Sequence, residues 1–485
     1  MTRFLPLRLL TVEQMDRIHE KSLQILEEIG IDVGEKEARE IFLDHGCKVK
    51  AGRISLPAEL VEKVVKQARE KQKKHVLYSR TGKMVQTEKG KIYTHNAGAV
   101  ATITDLRTGK QRLAHLQDCA DLVKIMDALE HIHGVTPIVY PQEVDQGAAL
   151  LYAVQELIKN TSKPVSGPGV SSLLEAKYIH EMFVTLAGDE ETLKEKPMYD
   201  LGFSPLSPLT FPKGDTAAII WAARKGIAIA ALPCPIAGMS APLTILGSLT
   251  QQNAEVLAVL TLVSLIDDSL PVTYSARLDH ADFRYGNTVG GAPESGIVGA
   301  CAVQLADYYG LNSNVYGAGT NAVVADPQLG LEKAMNIIIP ALVGSNWLSG
   351  AGAVADASSV SYEQLVIDNE IFDYIFHLFG ALEDDHEDYG FSVIKRVIEG
   401  KGDFITDEHT LQYLHSPEIW NRSNYSGNSR AYAGWKEHGA KNYLDLIKEK
   451  VRRILKEHQV IPLDPKVEKE LSALVRLGEK DLAKE

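Results

Sequence analysis

Apolar residues in the first part of the chain recur at the spacing of amphipathic helices. Over Thr11–Ile29, which opens on a threonine suited to an N-cap, they include Met15, Ile18 and Leu26. Residues at this spacing share one face of a helix that turns every 3.6 residues. Leu56–Glu70 has the same pattern. We therefore predict an N-terminal helical extension over residues 1–85.

From residue 86 onward a different unit repeats along the chain. A short apolar run rich in β-branched residues is followed by a Gly, Pro or Ser break and then by an amphipathic helix. The eight strands predicted in this way are Ile92–Thr104, Gly134–Tyr140, Pro164–Gly167, Met198–Phe203, Gly226–Leu232, Pro271–Ala276, Asn312–Gly317 and Trp347–Gly350. The eight helices predicted to follow them are Leu116–Leu129, Ala148–Asn160, Leu173–Ala187, Asp215–Lys225, Ile245–Ile266, Ser295–Tyr309, Leu329–Leu342 and Tyr362–Phe379.

Eight strand–helix units in succession are typical of one closed (β/α)8 barrel, in which each parallel strand is reached through a right-handed crossover. We predict this α/β barrel over residues 86–398, and a C-terminal helical tail over residues 399–485 that packs on it. An open dinucleotide-binding sheet is the alternative. It is the weaker interpretation because the nearest glycine pattern, which begins at Tyr316, lacks the third glycine of the fingerprint.

The composition is that of a globular protein. Of the 485 residues 45% are hydrophobic and 24% are charged, and the net charge is −13. An acidic chain of this kind does not favour nucleic acid as a partner. The N-terminal segment has no apolar core of signal-peptide length, and the longest apolar stretches are too short or too interrupted to span a bilayer. We expect a cytoplasmic protein.

The four cysteines, Cys47, Cys119, Cys234 and Cys301, are far apart in the sequence. No pair has C-x-x-C spacing, so the sequence argues against a disulfide framework or a zinc finger, and we predict no metal site. Distant cysteines could still converge on a metal in the folded barrel. Of the four, Cys234 stands at the end of a predicted strand.

In a barrel of this kind, functional side chains project from the strand ends and from the loops that follow them. Six aromatic residues stand at these strand ends, although aromatic residues make up only 7% of the chain. One explanation is that strands favour aromatic residues in any case. The other is a site whose ring faces attract a quaternary ammonium cation, at about 2 kcal/mol per well-placed ring. The residues predicted to bind substrate are Tyr93, His95, Phe203, Tyr274, Arg277, Tyr316, Asn321 and Trp347.

Arg277 has two interpretations. Its guanidinium can pair with a carboxylate on the substrate, or it can form an ion pair with Asp279 or Asp282, which are close in sequence. The chain has no G-x-S-x-G, H-E-x-x-H or P-loop motif, so the sequence identifies no catalytic residue. A reaction at this site would use a nucleophile that comes from outside the chain.

Seven stretches that together run almost from end to end carry further motifs. They are Leu10–Val33, Thr104–Arg112, Pro235–Ala258, Gly286–Glu294, Ala325–Gly352, Tyr362–Ile371 and His409–Leu414. In their order and spacing these stretches resemble the trimethylamine methyltransferase family. Each stretch is moderately specific, and the resemblance rests on all of them together.

The resemblance implies a barrel enzyme that passes a methyl group from a methylated amine to the Co(I) corrinoid of a partner protein. The archetypal members hold trimethylamine with pyrrolysine, and this chain contains no such residue. It is therefore similar to the non-pyrrolysine branch, which demethylates quaternary amines such as glycine betaine, proline betaine, carnitine or γ-butyrobetaine.

This branch further implies that the corrinoid (cobalamin) is carried by the partner protein and that this chain binds no cofactor itself. A symmetric homo-oligomer is also expected. Three alternatives stay open at this point: a trimethylamine-type methyltransferase, a zinc-dependent barrel methyltransferase, and a protein that binds quaternary amines without catalysis.

Overall fold

A curled sheet of six parallel strands lies at the centre of the protein. The computed structural model describes residues 7–380 and 388–484. In chain order the strands of this sheet are β1 (Tyr93–Asn96), β2 (Leu201–Phe203), β3 (Ile229–Ala231), β4 (Val272–Ala276), β5 (Ser313–Tyr316) and β6 (Trp347–Ala351). Their order across the sheet is β1–β6–β5–β4–β3–β2. Strands β2, β3, β4 and β6 are buried along their whole length, which is why they read as apolar runs in the sequence.

The chain between β1 and β2 continues the hydrogen bonding around the sheet. Gly134 N donates to Thr94 O at 3.2 Å, and Val165 N donates to Met198 O at 2.9 Å. Val135 and Val165 form a parallel bridge with each other. Six of the eight predicted strands are therefore strands of the sheet, and the other two are present as isolated bridges between its ends.

Helices cover the outer face of this sheet and extend beyond it at both ends of the chain. They are α1 (Val12–Gln24), α2 (Lys36–Asp44), α3 (Ala58–Lys71), α4 (Leu116–Ala128), α5 (Ala149–Asn160), α6 (Leu173–Ala187), α7 (Glu190–Glu195), α8 (Lys213–Lys225), α9 (Ile245–Ile266), α10 (Pro293–Tyr309), α11 (Pro327–Val343), α12 (Tyr362–Gly380), α13 (Phe391–Ile398), α14 (Glu408–Tyr413), α15 (Tyr432–Glu437), α16 (Tyr443–Glu457) and α17 (Pro465–Leu482), with a π-helical turn at Ile25–Ile29 and a 3-10 turn at Arg422–Asn424.

The eight helices predicted after the strands are confirmed to within two residues at each end. Helices α10 and α11 begin two residues earlier than predicted, each on a proline, Pro293 and Pro327. Proline suits the first turn of a helix because the N–H that it lacks has no partner there. The early starts therefore follow from the sequence itself.

Short strands form small sheets around the central one. They are Asp32–Val33, Lys48–Lys50, Arg53–Ser55, Val76–Tyr78, Met84–Gln86, Thr102–Thr104, Gln111–Leu113, Thr210–Phe211, Ile236–Ala237, Asp279–Asp282, Asn287–Thr288, Ala353–Val354 and Ser359–Ser361. The segment after Met84 closes the N-terminal end of the central sheet. There the Tyr93 hydroxyl donates to Gln86 O, and Trp347 Nε1 donates to Thr87 Oγ1, both at 3.0 Å.

The terminal helices pack on the outer helices. Helices α1 and α3 lie against α9, α16 lies against α4 and α12, and α17 lies against α5 and α6. Within the described residues, α9 is the one helix long and apolar enough to cross a membrane, and 78% of its apolar window is buried inside the protein. Here it is a core helix. The division into three parts at residues 85 and 398 stays a prediction.

A fully buried ion pair joins helices α11 and α12. Lys333 Nζ lies 2.7 Å from Asp368 Oδ2, and neither side chain is exposed. Asp368 also accepts from Gly352 N at 2.7 Å and from Gln364 Nε2 at 2.8 Å. The carboxylate therefore ties both helices to the loop that follows β6.

Asp368→Asn should lower the free energy of unfolding by about 3–5 kcal/mol, because Lys333 would keep a buried charge without its counter-ion. Urea-induced unfolding measures this change. Glu449→Ala, which breaks an exposed ion pair with Lys441, is the control and should have little effect. If both variants were equally stable, the buried pair would not be holding the two helices.

Candidate active site

A cavity of about 200 Å³ lies at the C-terminal ends of the six strands. Pockets for drug-sized ligands usually measure about 300–1,000 Å³, so this cavity suits a small molecule. Its lining residues come from five of the six strands, from Arg277 directly after β4, and from both bridging segments. They are His95, Asn96, Gly98, Ala99, Thr136, Pro137, Tyr140, Leu150, Ser166, Gly167, Pro168, Gly169, Gly202, Ser204, Ala230, Leu232, Arg277, Asn314, Tyr316 and Ser349.

Two glycines keep space in and around this cavity. A Cβ added to Gly202 would lie 2.9 Å from the carbonyl oxygen of Gly167. A Cβ added to Gly350 would lie 3.0 Å from Cζ of Tyr316, and the φ of Gly350 is +105°, which favours glycine. Larger residues at these positions would push a neighbouring strand or the Tyr316 ring.

A larger cavity, of about 590 Å³, lies between the loop 423–430 and helix α16. Several cationic side chains, including Arg430 and Arg453, line it, and no strand of the central sheet reaches it. In folds built from strand–helix units the functional groups collect at the C-terminal ends of the strands. The smaller cavity is therefore the candidate site.

Arg277 brings a guanidinium to the wall of this cavity. Its Nη1 donates to Ala276 O at 2.9 Å and to Asn314 O at 2.8 Å, and its Nη2 donates to Asn314 Oδ1 at 3.0 Å. All three acceptors are neutral. Because a guanidinium has five N–H donors, one on Nε and one on Nη2 have no acceptor among the described residues.

The ion-pair alternative for Arg277 is not formed in the structure. Asp282 pairs with Arg284 at 2.6 Å. Asp279 accepts from its neighbour His280 N at 2.8 Å, and burial raises its pKa to about 6. Burial also lowers the pKa of Arg277 to about 10, so the group is a cation at neutral pH. A partly buried cation of this kind, held only by neutral acceptors, would be stabilised by an anionic group in the cavity.

A chain of hydrogen bonds runs from Arg277 to His95. Asn314 Oδ1 accepts from Arg277, so its Nδ2 faces His95 Nε2 at 3.0 Å. Asn96 O can only accept, so Nδ1 carries the proton that it donates there at 2.8 Å. In the neutral ring Nε2 then accepts from Nδ2, which lies nearer to it than Oδ1 does, at 3.3 Å. Burial, together with the charge of Arg277, lowers the pKa of His95 to about 4. The imidazole is neutral at pH 7, as the hydrogen-bond chain requires.

Two tyrosine rings also line the cavity. The Tyr316 hydroxyl is buried and has no hydrogen-bond partner in the described part of the chain, and burial raises the pKa of both Tyr316 and Tyr140. Beside them, Cys234 Sγ lies 3.6 Å from Ser204 Oγ. The surrounding protein desolvates this thiol and raises its pKa, although the side chain is accessible, so it is a weak nucleophile.

Of the eight residues predicted to bind substrate, the structure brings His95, Arg277 and Tyr316 together at the cavity. Phe203 and Tyr274 are in register with each other on either side of Ala231, and both face the outer helices. The Tyr274 hydroxyl donates to Asn253 of α9 at 3.1 Å. Successive side chains of a strand alternate between its two faces, so the row that contains Phe203 and Tyr274 points away from the cavity.

Tyr93 and Trp347 face the inside of the sheet, but one layer below the cavity. They are in register, and their ring centroids are 5.1 Å apart. The imidazole of His95 lies above them, 5.8 Å from the Trp347 ring. The two rings therefore support His95 from below.

Asn321 joins two loops outside the cavity. Its Oδ1 accepts from Gly291 N at 2.7 Å, and its Nδ2 donates to Thr288 O at 3.0 Å. Both partners belong to Gly286–Glu294, one of the seven motif stretches. Asn321 thus links this stretch to the loop after β5.

Asn314 and Tyr140 line the cavity although neither is among the predicted substrate-binding residues. Asn314 precedes Tyr316 by two positions on β5, so the alternation of a strand places both side chains on one face. That signal was present in the sequence. The contact between Asn314 and Arg277 depends instead on the register of β4 and β5, in which Ala276 is paired with Val315.

Among residues 7–380 and 388–484, no three His, Cys, Asp or Glu side chains are grouped so that they could hold a metal ion. Cys47, Cys119 and Cys301 are buried, and Cys234 is accessible. All four are free thiols.

The lowered pKa of His95 predicts a dependence of stability on pH. Because this pKa is about 4 in the folded protein and about 6.5 in an unfolded chain, the unfolded state takes up the proton first. The stability that neutral His95 contributes is fully present above pH 6.5 and is lost as the pH falls from 6.5 through 4.

The free energy of unfolding falls between pH 7 and pH 4, and His95 accounts for roughly 2–3 kcal/mol of this fall. In His95→Gln the difference between the two pH values should therefore be smaller by that amount. Urea-induced unfolding at the two pH values measures this difference. His45→Gln changes an exposed imidazole and should leave the difference as it is in the unmodified protein. A His95→Gln variant with an unchanged difference would contradict a neutral, buried imidazole.

Comparison with known proteins agrees with the sequence motifs. Residues 1–482 match the family model described as trimethylamine methyltransferase (MTTB). The chain is 31% identical to the trimethylamine methyltransferase MttB of Methanosarcina barkeri, over 98% of this chain and 96% of that protein. It is 29% identical to the glycine betaine methyltransferase of Desulfitobacterium hafniense strain Y51, over 98% of each.

A solved structure, the monomethylamine methyltransferase MtmB of Methanosarcina barkeri, is similar with a TM-score of 0.49 and 13% identity, over 93% of this chain and 94% of that one. This similarity is too distant to transfer a fold or an activity. The family match, in contrast, spans nearly the whole chain, and it confirms the predicted family. The chain is a methyltransferase that belongs to the trimethylamine methyltransferase (MTTB) family.

Proposed function

We propose that this chain transfers an N-methyl group from a small quaternary ammonium carboxylate, of the betaine or carnitine class, to the Co(I) corrinoid of a partner protein. The observation that carries the proposal is Arg277. Its guanidinium lies on the cavity wall with neutral partners and two free N–H groups. A carboxylate can accept both in a bidentate pair. Trimethylamine offers no such group, so the site favours a substrate with a carboxylate.

The other end of such a substrate is a trimethylammonium group. Tyr140 and Tyr316 are the aromatic rings of the cavity lining, and the face of an aromatic ring attracts a quaternary ammonium when water is excluded. In this proposal Arg277 and Tyr316 bind substrate and His95 acts through Asn314, whereas the other five predicted residues hold the surrounding structure.

The chemistry asks little of this chain beyond binding. When the C–N bond breaks, its electron pair stays on nitrogen and a neutral tertiary amine leaves. Co(I) supplies the electron pair for the new bond to the methyl carbon. Arg277 orients the substrate by its carboxylate, the rings hold the ammonium, and the walls exclude water. No general base is required, in keeping with His95, whose Nε2 lone pair already accepts from Asn314.

The size of the cavity supports a corrinoid carried by the partner. A space of about 200 Å³ is smaller than the usual pocket of a drug-sized ligand. It accommodates a small amine, whereas a corrinoid is far larger. The corrinoid therefore stays on its own protein and meets the substrate at the C-terminal ends of the strands.

We also propose that the six strands and the two bridging segments close as a (β/α)8 barrel. The hydrogen bonds that cross the gap between β1 and β2 support this closure, as does a cavity lined from seven of these eight segments and by Arg277, directly after β4. Cytoplasmic location and a homo-oligomer belong to the same proposal.

Mixing the enzyme with glycine betaine and either Co(I) cobalamin or the cognate corrinoid protein should consume the Co(I) absorbance. Arg277→Lys keeps the positive charge but loses the pair of N–H groups that can bind a carboxylate in a bidentate way. The KM for the betaine should therefore rise about 10–100-fold, which corresponds to the 1.5–3 kcal/mol of a hydrogen bond to a charged group. Arg284→Lys, an exposed control, should leave KM unchanged.

The same assay with a panel of betaines, carnitine and trimethylamine separates the alternatives. Reaction with trimethylamine and with no member of the panel would make the substrate class wrong. Calorimetric binding of betaines without any methyl transfer would indicate a non-catalytic binding protein. Stoichiometric zinc in the purified, active protein would favour the metal-dependent enzyme.

A further inference from the structure

The side chain that accepts from Arg277 is the amide of Asn314, at a position where the carboxylate of an aspartate would also fit. Asn314 is 5% exposed, and it accepts from the guanidinium through both its backbone oxygen and Oδ1, at 2.8 and 3.0 Å. An aspartate has nearly the same shape as an asparagine. Buried arginines usually pair with carboxylates, so the residue type at this position decides whether the charge of Arg277 is already compensated.

His95 fixes the orientation of this amide. Nδ2 of Asn314 donates to Nε2 of His95, whose Nδ1 donates to Asn96 O. A carboxylate at position 314 would present only acceptors. His95 would then have to donate from both nitrogens, which only an imidazolium can do. The neutral imidazole and the amide therefore require each other.

From this geometry we propose that Asn314 is the specificity-determining residue of the site. It holds Arg277 in place while it leaves the positive charge to the carboxylate of the substrate. An aspartate at this position would take the place of that carboxylate, and the site would then prefer quaternary amines without an acid group, such as choline. His95 is a positioning residue in this arrangement, because it acts through Asn314. The inference rests on the proposed function and names the residue behind its substrate class.

Calorimetric binding of glycine betaine and of choline to the full-length protein tests this directly. The two probes share the trimethylammonium group and differ in the acid. The unmodified protein should bind glycine betaine at least about tenfold more tightly, and Asn314→Asp should abolish or reverse this preference. Asn312→Asp makes the same change on the same stretch of chain, outside the cavity lining, and should keep the preference.

Two readouts separate this role from a merely structural one. In Asn314→Asp, the His95 imidazole should titrate at a higher pH in NMR spectra. In the unmodified protein, nitrogen-15 shifts should show the neutral tautomer protonated on Nδ1, and this measurement needs no variant to fold. A proton on Nε2 at pH 7 would overturn the inference.

The outcomes also distinguish this inference from the proposed function. If the unmodified protein binds neither probe, the proposed function fails. If it prefers glycine betaine and Asn314→Asp keeps that preference, only the role of Asn314 fails.

A second, independent observation concerns residues 388–431, which we call the arm. Val393 is the single residue of the arm that is buried, although the arm contains helices α13 and α14. Its apolar side chains face solvent, including Phe391, Ile394, Ile398, Ile405, Leu411 and Ile419, which are between 52% and 82% exposed. Apolar surface of this extent on a soluble protein marks an interaction site.

The arm is attached far from the cavity. Trp420 Nε1 donates to Asp373 in the last part of α12 at 2.9 Å. Asp373 also bonds His131 at 3.0 Å, just before Gly134 enters the N-terminal end of the sheet. A corrinoid protein must reach the cavity at the C-terminal ends of the strands. The arm lies near their N-terminal ends, so a permanently bound subunit is a better candidate for its partner than the protein that accepts the methyl group.

A second copy of this chain meets the requirements of such a partner. Six exposed apolar side chains offer roughly 600 Å² of surface, close to the about 800 Å² that each partner buries in a stable interface. Arg396 and Asp407 pair on the arm, as do Lys401 and Glu399. Charges of both signs allow the same surface to face itself across a two-fold axis. We infer that the arm forms a symmetric interface between two copies of this chain.

Sedimentation analysis of the full chain at several concentrations tests the arm. The unmodified protein should be a dimer or a larger even-numbered oligomer, and Ile398→Glu combined with Ile405→Glu should halve its mass. Ile461→Glu, at an exposed position outside the arm, should leave the mass unchanged. A monomeric unmodified protein, or a double variant that keeps the full mass, would overturn the inference.

Discussion

The charge of Arg277 is the constraint around which the cavity is arranged. A partly buried guanidinium at the head of a parallel sheet must be held by acceptors. The structure supplies neutral ones, a backbone oxygen of Ala276 and the two oxygens of Asn314. Neutral acceptors fix the position of the group without cancelling its charge. The charge is thus left available to a ligand, and this is the reason for the proposal that the substrate carries an anionic group.

A fully buried ion pair elsewhere in the protein shows the contrast. Lys333 has its counter-ion, Asp368, at 2.7 Å, and both are fully buried between helices. The carboxylate is further satisfied by Gly352 and Gln364. The cation whose charge is fully compensated joins two helices, whereas Arg277, whose acceptors are all neutral, is proposed to bind the substrate. The same physical cost of burying charge accounts for both.

A zwitterionic substrate suits a site with one strong cation and two tyrosine rings. The carboxylate and the ammonium are attracted to different walls, so the molecule has one favoured orientation. In the proposed reaction the enzyme orients the substrate and excludes water, and the reactive electron pair comes from the methyl acceptor. The proposed reaction needs no general base from this chain, and the Nε2 lone pair of His95 on the cavity wall is already occupied by Asn314.

The sequence alone determined the repeated strand–helix units, the family and the end of the sheet at which the site lies. Periodicity is a local property, so helix ends were predicted to within two residues, and Arg277 and Tyr316 follow from their places at strand ends. Only the tertiary structure decided which aromatic rings meet the cavity. Phe203 and Tyr274 are paired through Ala231, and the side chains at this position of each strand point to the outer face of the sheet. Trp347 points inward but lies one layer below the cavity. The Arg277–Asn314 contact depends on the pairing of β4 with β5, because register between strands is set by long-range packing that no local pattern encodes.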